Sequence, residues 1–159
     1  MQHELAKLGN GAHAFATQML GSADDAADAV HDAIATALQR PEAWDVSKGS
    51  LKTWFMRVVR NRCIDMIRLR KAGGDTTDEL VDPALGPEET LQIEQRDLAL
   101  KNALARLETE QRQIIVLSDY VGFSYREIAN VLDVPAGTVM SRLHRARLAL
   151  KKELMPDDE

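Results

Sequence analysis

The spacing of apolar residues between Ser124 and Lys152 constrains this chain more than any other feature. Val139, Leu143, Ala146 and Leu150 recur at i, i+4, i+7 and i+11, one stripe of an α-helix. Just before them, Ser124 followed three residues later by Glu127 is a capping box opening a shorter helix, with Tyr125, Ile128, Ala129 and Leu132 as its expected inner face. Asp133 and Val134 form a tight turn, and Pro135 suits the first position of the next helix because it has no N–H to leave unpaired. A short helix, a tight turn and a longer second helix make a helix-turn-helix, whose second helix enters the DNA major groove. Helical hairpins of other kinds share this spacing, so the charge of the second helix carries the distinction. Between Pro135 and Lys152 stand five basic residues and no acid. Met140, Ser141, His144 and Arg145 remain on the face opposite the apolar stripe, with Arg142, Arg147, Lys151 and Lys152 at its margins or further along. Arg145 and Arg147 are expected at phosphates, Ser141 and His144 at base edges.

The rest of the chain repeats the helical signal. Ile114 to Leu117 form an apolar run that Gly122 ends as a C-cap residue would. Ser22, Asp24 and Asp25 open another helix in which Val30, Ile34 and Leu38 are the expected buried stripe, with Asp25, Asp28 and Asp32 on the opposite face. Pro41 ends it, and a loop holding Trp44, Asp45 and Gly49 leads to Ser50, the N-cap of the next. No stretch keeps the strict alternation of a half-buried strand, so an all-α chain is expected. Cys63 is the only cysteine, which excludes an internal disulfide and a cysteine zinc site and suits a reducing cytoplasm. No run of eighteen apolar residues occurs, and no basic segment followed by an apolar one opens the chain; neither membrane insertion nor secretion is expected.

A net charge of −5 argues against a nucleic-acid partner until its distribution is considered. Leu51 to Lys71 carry seven basic residues against Asp65, a local balance of +6. On that helix Leu51, Trp54, Phe55, Val58 and Met66 share a broad apolar face, while Arg57, Asn61, Ile64 and Arg68 form a strip with Arg60 beside it. An apolar back and an Arg/Asn front suit a helix lying along a nucleic-acid backbone; an ordinary cationic surface helix, with Asp65 pairing to Arg62 or Arg68, is the alternative. Residues 72–89, with three Gly, two Pro and six acids, read as a flexible acidic linker. The expected organisation is therefore two small helical domains, 1–71 and 90–159, the second a helix-turn-helix.

Two stretches resemble the extracytoplasmic-function (ECF) class of bacterial sigma factors. Gly49 to Arg68 (GSLKTWFMRVVRNRCIDMIR), preceded by the acidic helix Asp24 to Ala33, is similar to the end of sigma region 2; Glu110 to Lys152 is similar to region 4. The resemblance implies a subunit without catalysis of its own or any cofactor. Region 2 docks on core RNA polymerase and melts the minus-ten promoter element, and region 4 reads the minus-thirty-five element. It also implies control by an anti-sigma factor, the chain being a monomer when free or a heterodimer when held. Residue by residue, Asp25, Asp28 and Asp32 match the polymerase-docking helix. Trp44 and Asn61 match positions that hold an unstacked promoter base, and Met140, Ser141, His144 and Arg145 match the DNA-contacting strip of region 4. His31 stands where the family usually has Gln, and Asp133 where Gly is usual. From the residues alone, a solvated face in tune with the helix dipole accounts for the three aspartates equally well, and Trp44 has a second reading as a packing anchor for its loop.

Other functions fit less of the chain. His3, His13, His31 and His144 lie far apart, with no HExxH spacing, phosphate loop or nucleophile elbow to suggest an enzyme. A sigma mimic that titrates an anti-sigma factor would not need both basic patches. A stand-alone helix-turn-helix regulator would leave the acidic helix and the Trp/Arg/Asn helix without a task.

Overall fold

The computed structural model describes residues 1–73 and 91–155, with side chains placed throughout except at 91–94. Among the described residues every regular element is helical. The first half holds α1 (Gln2–Leu20), α2 (Ala23–Gln39) and α3 (Leu51–Ala72), with two short 3₁₀ turns, Pro41–Ala43 and Val46–Lys48, between the last two. The second half holds α4 (Leu91–Arg106), α5 (Thr109–Ile115), a π-helical turn (Val116–Tyr120), α6 (Tyr125–Leu132) and α7 (Ala136–Leu154). The expected linker, 72–89, lies outside the described residues save for Ala72 and Gly73, which close α3.

Local signals read from the sequence recur as geometry. The Ser22 hydroxyl accepts from the Asp25 N–H at 3.2 Å, and Ser50 caps α3 through the Thr53 N–H at the same distance. At α6 both arms of the capping box are made: Ser124 Oγ accepts from Glu127 N–H at 3.1 Å, and Glu127 Oε1 accepts from Ser124 N–H at 2.9 Å. Asp133 ends α6 in the left-handed region at φ 58° and ψ 51°, a conformation Asp tolerates better than most residues. Pro135 stands one place earlier than expected, as the extended residue before α7 rather than in its first turn.

Where an apolar stripe could rotate, packing rotates it. In α2 the buried side chains are Ala26, Ala29, Val30, Ala33 and Ala37, while Ile34 is half-buried and Leu38 is exposed. Four alanines let α1 and α2 approach closely, and larger aliphatics on that line would hold them apart. In α3 the core takes Leu51, Phe55, Met56, Val59 and Cys63, leaving Trp54, Val58 and Met66 half-buried. In α6 it takes Ile128 and Val131, and Tyr125 points outward. The expected α7 stripe holds, with Val139, Leu143 and Ala146 buried and Leu150 half-buried.

The buried side chains of both halves join one contiguous core. α1 lies against α4, α5 and the π-helical turn, and α3 lies against α6. At the first of these contacts Gly11 meets Val121 with no side chain between them; a Cβ there would sit 3.5 Å from the valine methyl. Among the described residues no helix is long and apolar enough to cross a membrane.

Candidate nucleic-acid and polymerase interfaces

Burial of Val139, Leu143 and Ala146 against α5 and α6 turns the opposite side of α7 outward. Met140, Ser141, His144 and Arg145 are all exposed there, as the spacing required. Ser141 Oγ donates to the Gly137 carbonyl at 3.0 Å, so its hydroxyl proton is committed and its lone pairs are the part left to meet a donor. Arg145 and Arg142 flank a cleft of about 220 Å³ whose other walls are Glu110, Gln111 and Ile114 of α5. Arg147 differs from its neighbours. Its guanidinium forks onto Asp119, with contacts of 2.6 and 3.1 Å, and holds that carboxyl below the usual aspartate range, so a phosphate would have to displace a carboxylate.

The three candidate docking aspartates of α2 do not share one environment. Asp28 is exposed and makes no ion pair among the described residues. Asp32 accepts from Arg62 Nε at 3.0 Å, and Asp25 pairs with Arg70, which also donates to the Leu20 carbonyl at 2.8 Å. The local pairing of Asp65 with Arg62 does not form; α3 spends that arginine on α2 instead.

Trp44 sits between the two 3₁₀ turns, half-buried, its indole N–H donating to the Gly49 carbonyl at 3.1 Å. It lines an open cavity of about 240 Å³ with Asp45, Lys48, Thr53, Trp54 and Arg57, and Asn130 of α6 forms the far wall. Asn61 and Arg68 are exposed on α3. Asn61 Oδ1 accepts from Arg60 at 3.0 Å, and Asn61 lies one helical turn beyond Arg57, outside the cavity lining. Arg57 and Arg60 are half-buried and face the second half. Arg57 donates to the Asn130 carbonyl, and Arg60 Nε donates to Gln113 Oε1 at 2.9 Å. Burial lowers the pKa of Arg60, with Arg57 and Arg68 adding to the effect and Glu110 opposing it.

Sequence reasoning overlooked Lys52 and Glu127 as a pair, and Gln113 and Asn130 as the partners of Arg60 and Arg57. Lys52 reaches Glu127 at 2.8 Å and lies 4.5 Å over the Phe123 ring. Gln113 could have been noticed as a polar residue leading an apolar run, but nothing local joins it to an arginine fifty-three residues away. Cys63 is a core residue, and burial pushes its thiol up to about 12.

The family model for Sigma-70 region 2 matches residues 6–73, and the model for Sigma-70 region 4 matches residues 97–150. The ECF RNA polymerase sigma factor SigM of Mycobacterium tuberculosis is 35% identical over 89% of this chain and 70% of its own length. SigL of the same organism is 34% identical over 88% of this chain and 80% of its own. SigW of Bacillus subtilis is 28% identical over 86% and 79%. Among solved structures, the sigma factor RpoE in complex with the anti-sigma factor NepR, from Bartonella quintana, aligns with a TM-score of 0.74 and 29% identity. That alignment covers 99% of this chain and 98% of the other. CnrH in complex with the cytosolic domain of CnrY aligns at 0.73 and 25% identity, over 99% and 88%.

Proposed function

The chain belongs to the ECF RNA polymerase sigma-factor family, and from that premise we propose which of its surfaces does what. It binds core RNA polymerase and directs promoter-specific transcription initiation, under the control of an anti-sigma factor, in the cytoplasm and with no catalysis of its own. α7 reads the upstream promoter element: Ser141 and His144 at base edges, Met140 against an apolar base edge such as the thymine methyl, Arg145 and Arg147 at phosphates. α3 lies along the downstream element through Arg57, Arg60 and Arg68, with Trp44 and Asn61 on a base drawn from the duplex. Asn61 stands one helical turn beyond Arg57, which lines the Trp44 cavity. α2 docks on the polymerase through Asp25, Asp28 and Asp32.

The observation that carries the reading is the outward face of α7, where an acid-free set of polar and cationic side chains stands over a buried Val139/Leu143/Ala146 stripe. Of the three candidate docking aspartates, Asp28 is the most available to a partner, since Asp25 and Asp32 already hold arginines of α3. The test is transcription from a cognate promoter with purified core polymerase, comparing the parent with Asp28→Lys. The variant should fold normally and lose core binding in a titration. Undiminished core affinity would leave the α2 acids as a solvated face and remove docking from the reading.

A further inference from the structure

Arg147 stands seven residues after Met140, two turns further along the same outward line of α7. Of the five basic residues of that helix, it alone holds an acid among the described residues. The acid is Asp119, and the two guanidinium contacts, 2.6 Å from Nη2 and 3.1 Å from Nε, fall on its two carboxylate oxygens. An arginine offers a phosphate the same parallel pair of N–H donors, so Asp119 fills the place that a phosphate would take.

Asp119 is set in place by its own segment. It lies in the π-helical turn, which closes with the Val121 N–H donating to the Val116 carbonyl five residues back at 2.9 Å, and single turns of this kind recur at functional positions. The Ser118 hydroxyl donates to Asp119 Oδ1 at 3.1 Å. Arg147 first, and Ser118 after it, keep this carboxyl ionised; Asp119 in turn raises the Arg147 pKa, with Tyr125 adding to the effect. The two side chains are 48% and 41% exposed, so the pair is open to exchange with an incoming anion rather than locked in the core. A cation already neutralised by its own chain releases no counterion when DNA approaches. On a non-cognate duplex no base contacts seat α7, and the fixed carboxylate keeps the guanidinium. On a cognate element the contacts of Ser141 and His144 hold the helix in the groove, and a phosphate can then be set square to the fork.

We infer that Asp119 is a specificity-determining residue: it stands in for a phosphate on Arg147, withholds that arginine from non-cognate DNA, and yields it to a phosphate positioned by correct base contacts. This rests on the reading of α7 as the helix that meets the upstream element, and the experiment separates the two.

The full chain is titrated by fluorescence anisotropy, across a salt series, against a labelled duplex carrying the upstream element of a promoter from which its holoenzyme initiates, and against the same duplex scrambled. Asp119→Asn removes the charge, and Asp119→Ser also removes the amide oxygen that Asn could still offer Arg147; with two replacements, a loss of fold in one leaves the other to decide. Both should bind the scrambled duplex more tightly. The slope of log affinity against log salt should steepen there by about 0.9, which makes the gain about 3.5-fold larger at 50 mM than at 200 mM salt. The cognate duplex should gain less, so the ratio of the two affinities narrows. Arg147→Ala should lose affinity for the cognate duplex while keeping the parent's slope on the scrambled one, and Asp119→Asn combined with Arg147→Ala should show no gain. An unchanged slope on the scrambled duplex in the folded Asp119 variants overturns the inference, as does an equal gain on both duplexes. A slope on the scrambled duplex reduced by about one in Arg147→Ala overturns it too, because Arg147 then reaches phosphates past the carboxylate. Each of these results leaves α7 on the DNA. An unchanged slope on both duplexes in Arg145→Ala takes α7 off the DNA, and the inference falls with that reading.

Discussion

Replacing Trp44 with phenylalanine and with alanine separates a ring that holds its own loop from a ring that holds a base. The indole N–H donates to the Gly49 carbonyl at 3.1 Å, and the ring is half-buried against the core. Trp44→Phe removes one hydrogen bond near the surface and keeps an aromatic face, a loss of about 1 kcal/mol. For a chain of this size that lowers Tm by about 2–4 °C. Trp44→Ala also removes the ring. A fully buried aromatic truncated to alanine costs about 3–5 kcal/mol, and half-burial brings the total here to about 2–3 kcal/mol, or roughly 4–12 °C. Stacking on an extruded base is worth about 1–3 kcal/mol. If the ring serves melting, Trp44→Ala should form open complexes on a duplex promoter roughly 5- to 150-fold less well, while Trp44→Phe stays near the parent. The assay is initiation with core polymerase on a duplex promoter and on the same promoter already opened at the downstream element, with Tm measured in parallel. Both variants should work on the opened template. Defects that follow Tm and are equal on the two templates would refute the argument and make Trp44 an anchor for the Pro41–Gly49 loop.

Three further outcomes follow from single contacts. Asp133→Gly relieves a left-handed backbone at φ 58° and should stabilise by about 0.5–1 kcal/mol, seen as a higher Tm; a lower Tm would mean that the Asp side chain contributes more than the strain costs. Arg147 depresses the Asp119 carboxyl, so this pair stabilises the fold above the ordinary aspartate pKa and is lost as pH falls below about 4. Both groups are substantially exposed, so Asp119→Asn should cost less than about 1 kcal/mol near neutrality, and the gap from the parent should close in urea titrations near pH 2. A gap independent of pH would assign the cost to packing. Arg145→Ala should weaken DNA binding almost uniformly across sequences and reduce the salt slope by about one unit, whereas a changed base preference with an unchanged slope would move Arg145 from phosphate to base.

What the amino-acid order determined by itself lies within a few residues of each signal. Ser22, Ser50 and Ser124 cap helices through N–H groups three positions on, and Asp133 turns the chain where α6 stops. Val139, Leu143 and Ala146 have a single way to be buried together, so the outward face of α7 was legible as well. Tertiary structure decided the rest wherever a local pattern admitted more than one partner. Either Ile34/Leu38 or Ala29/Ala33/Ala37 could have been the inner line of α2; close approach of α1 selects the alanines. Asp65 lies within reach of Arg62 by helical spacing, but Asp32 of a neighbouring helix takes it. Arg57 and Arg60 read from sequence as a front open to nucleic acid, and they face α6 and α5 instead. Caps and turns are bonded between near neighbours, so their outcome is written in the segment that contains them. The rotation of an amphipathic helix and the choice of an arginine's acceptor depend on which distant surface arrives, and only the packed chain brings that surface into contact.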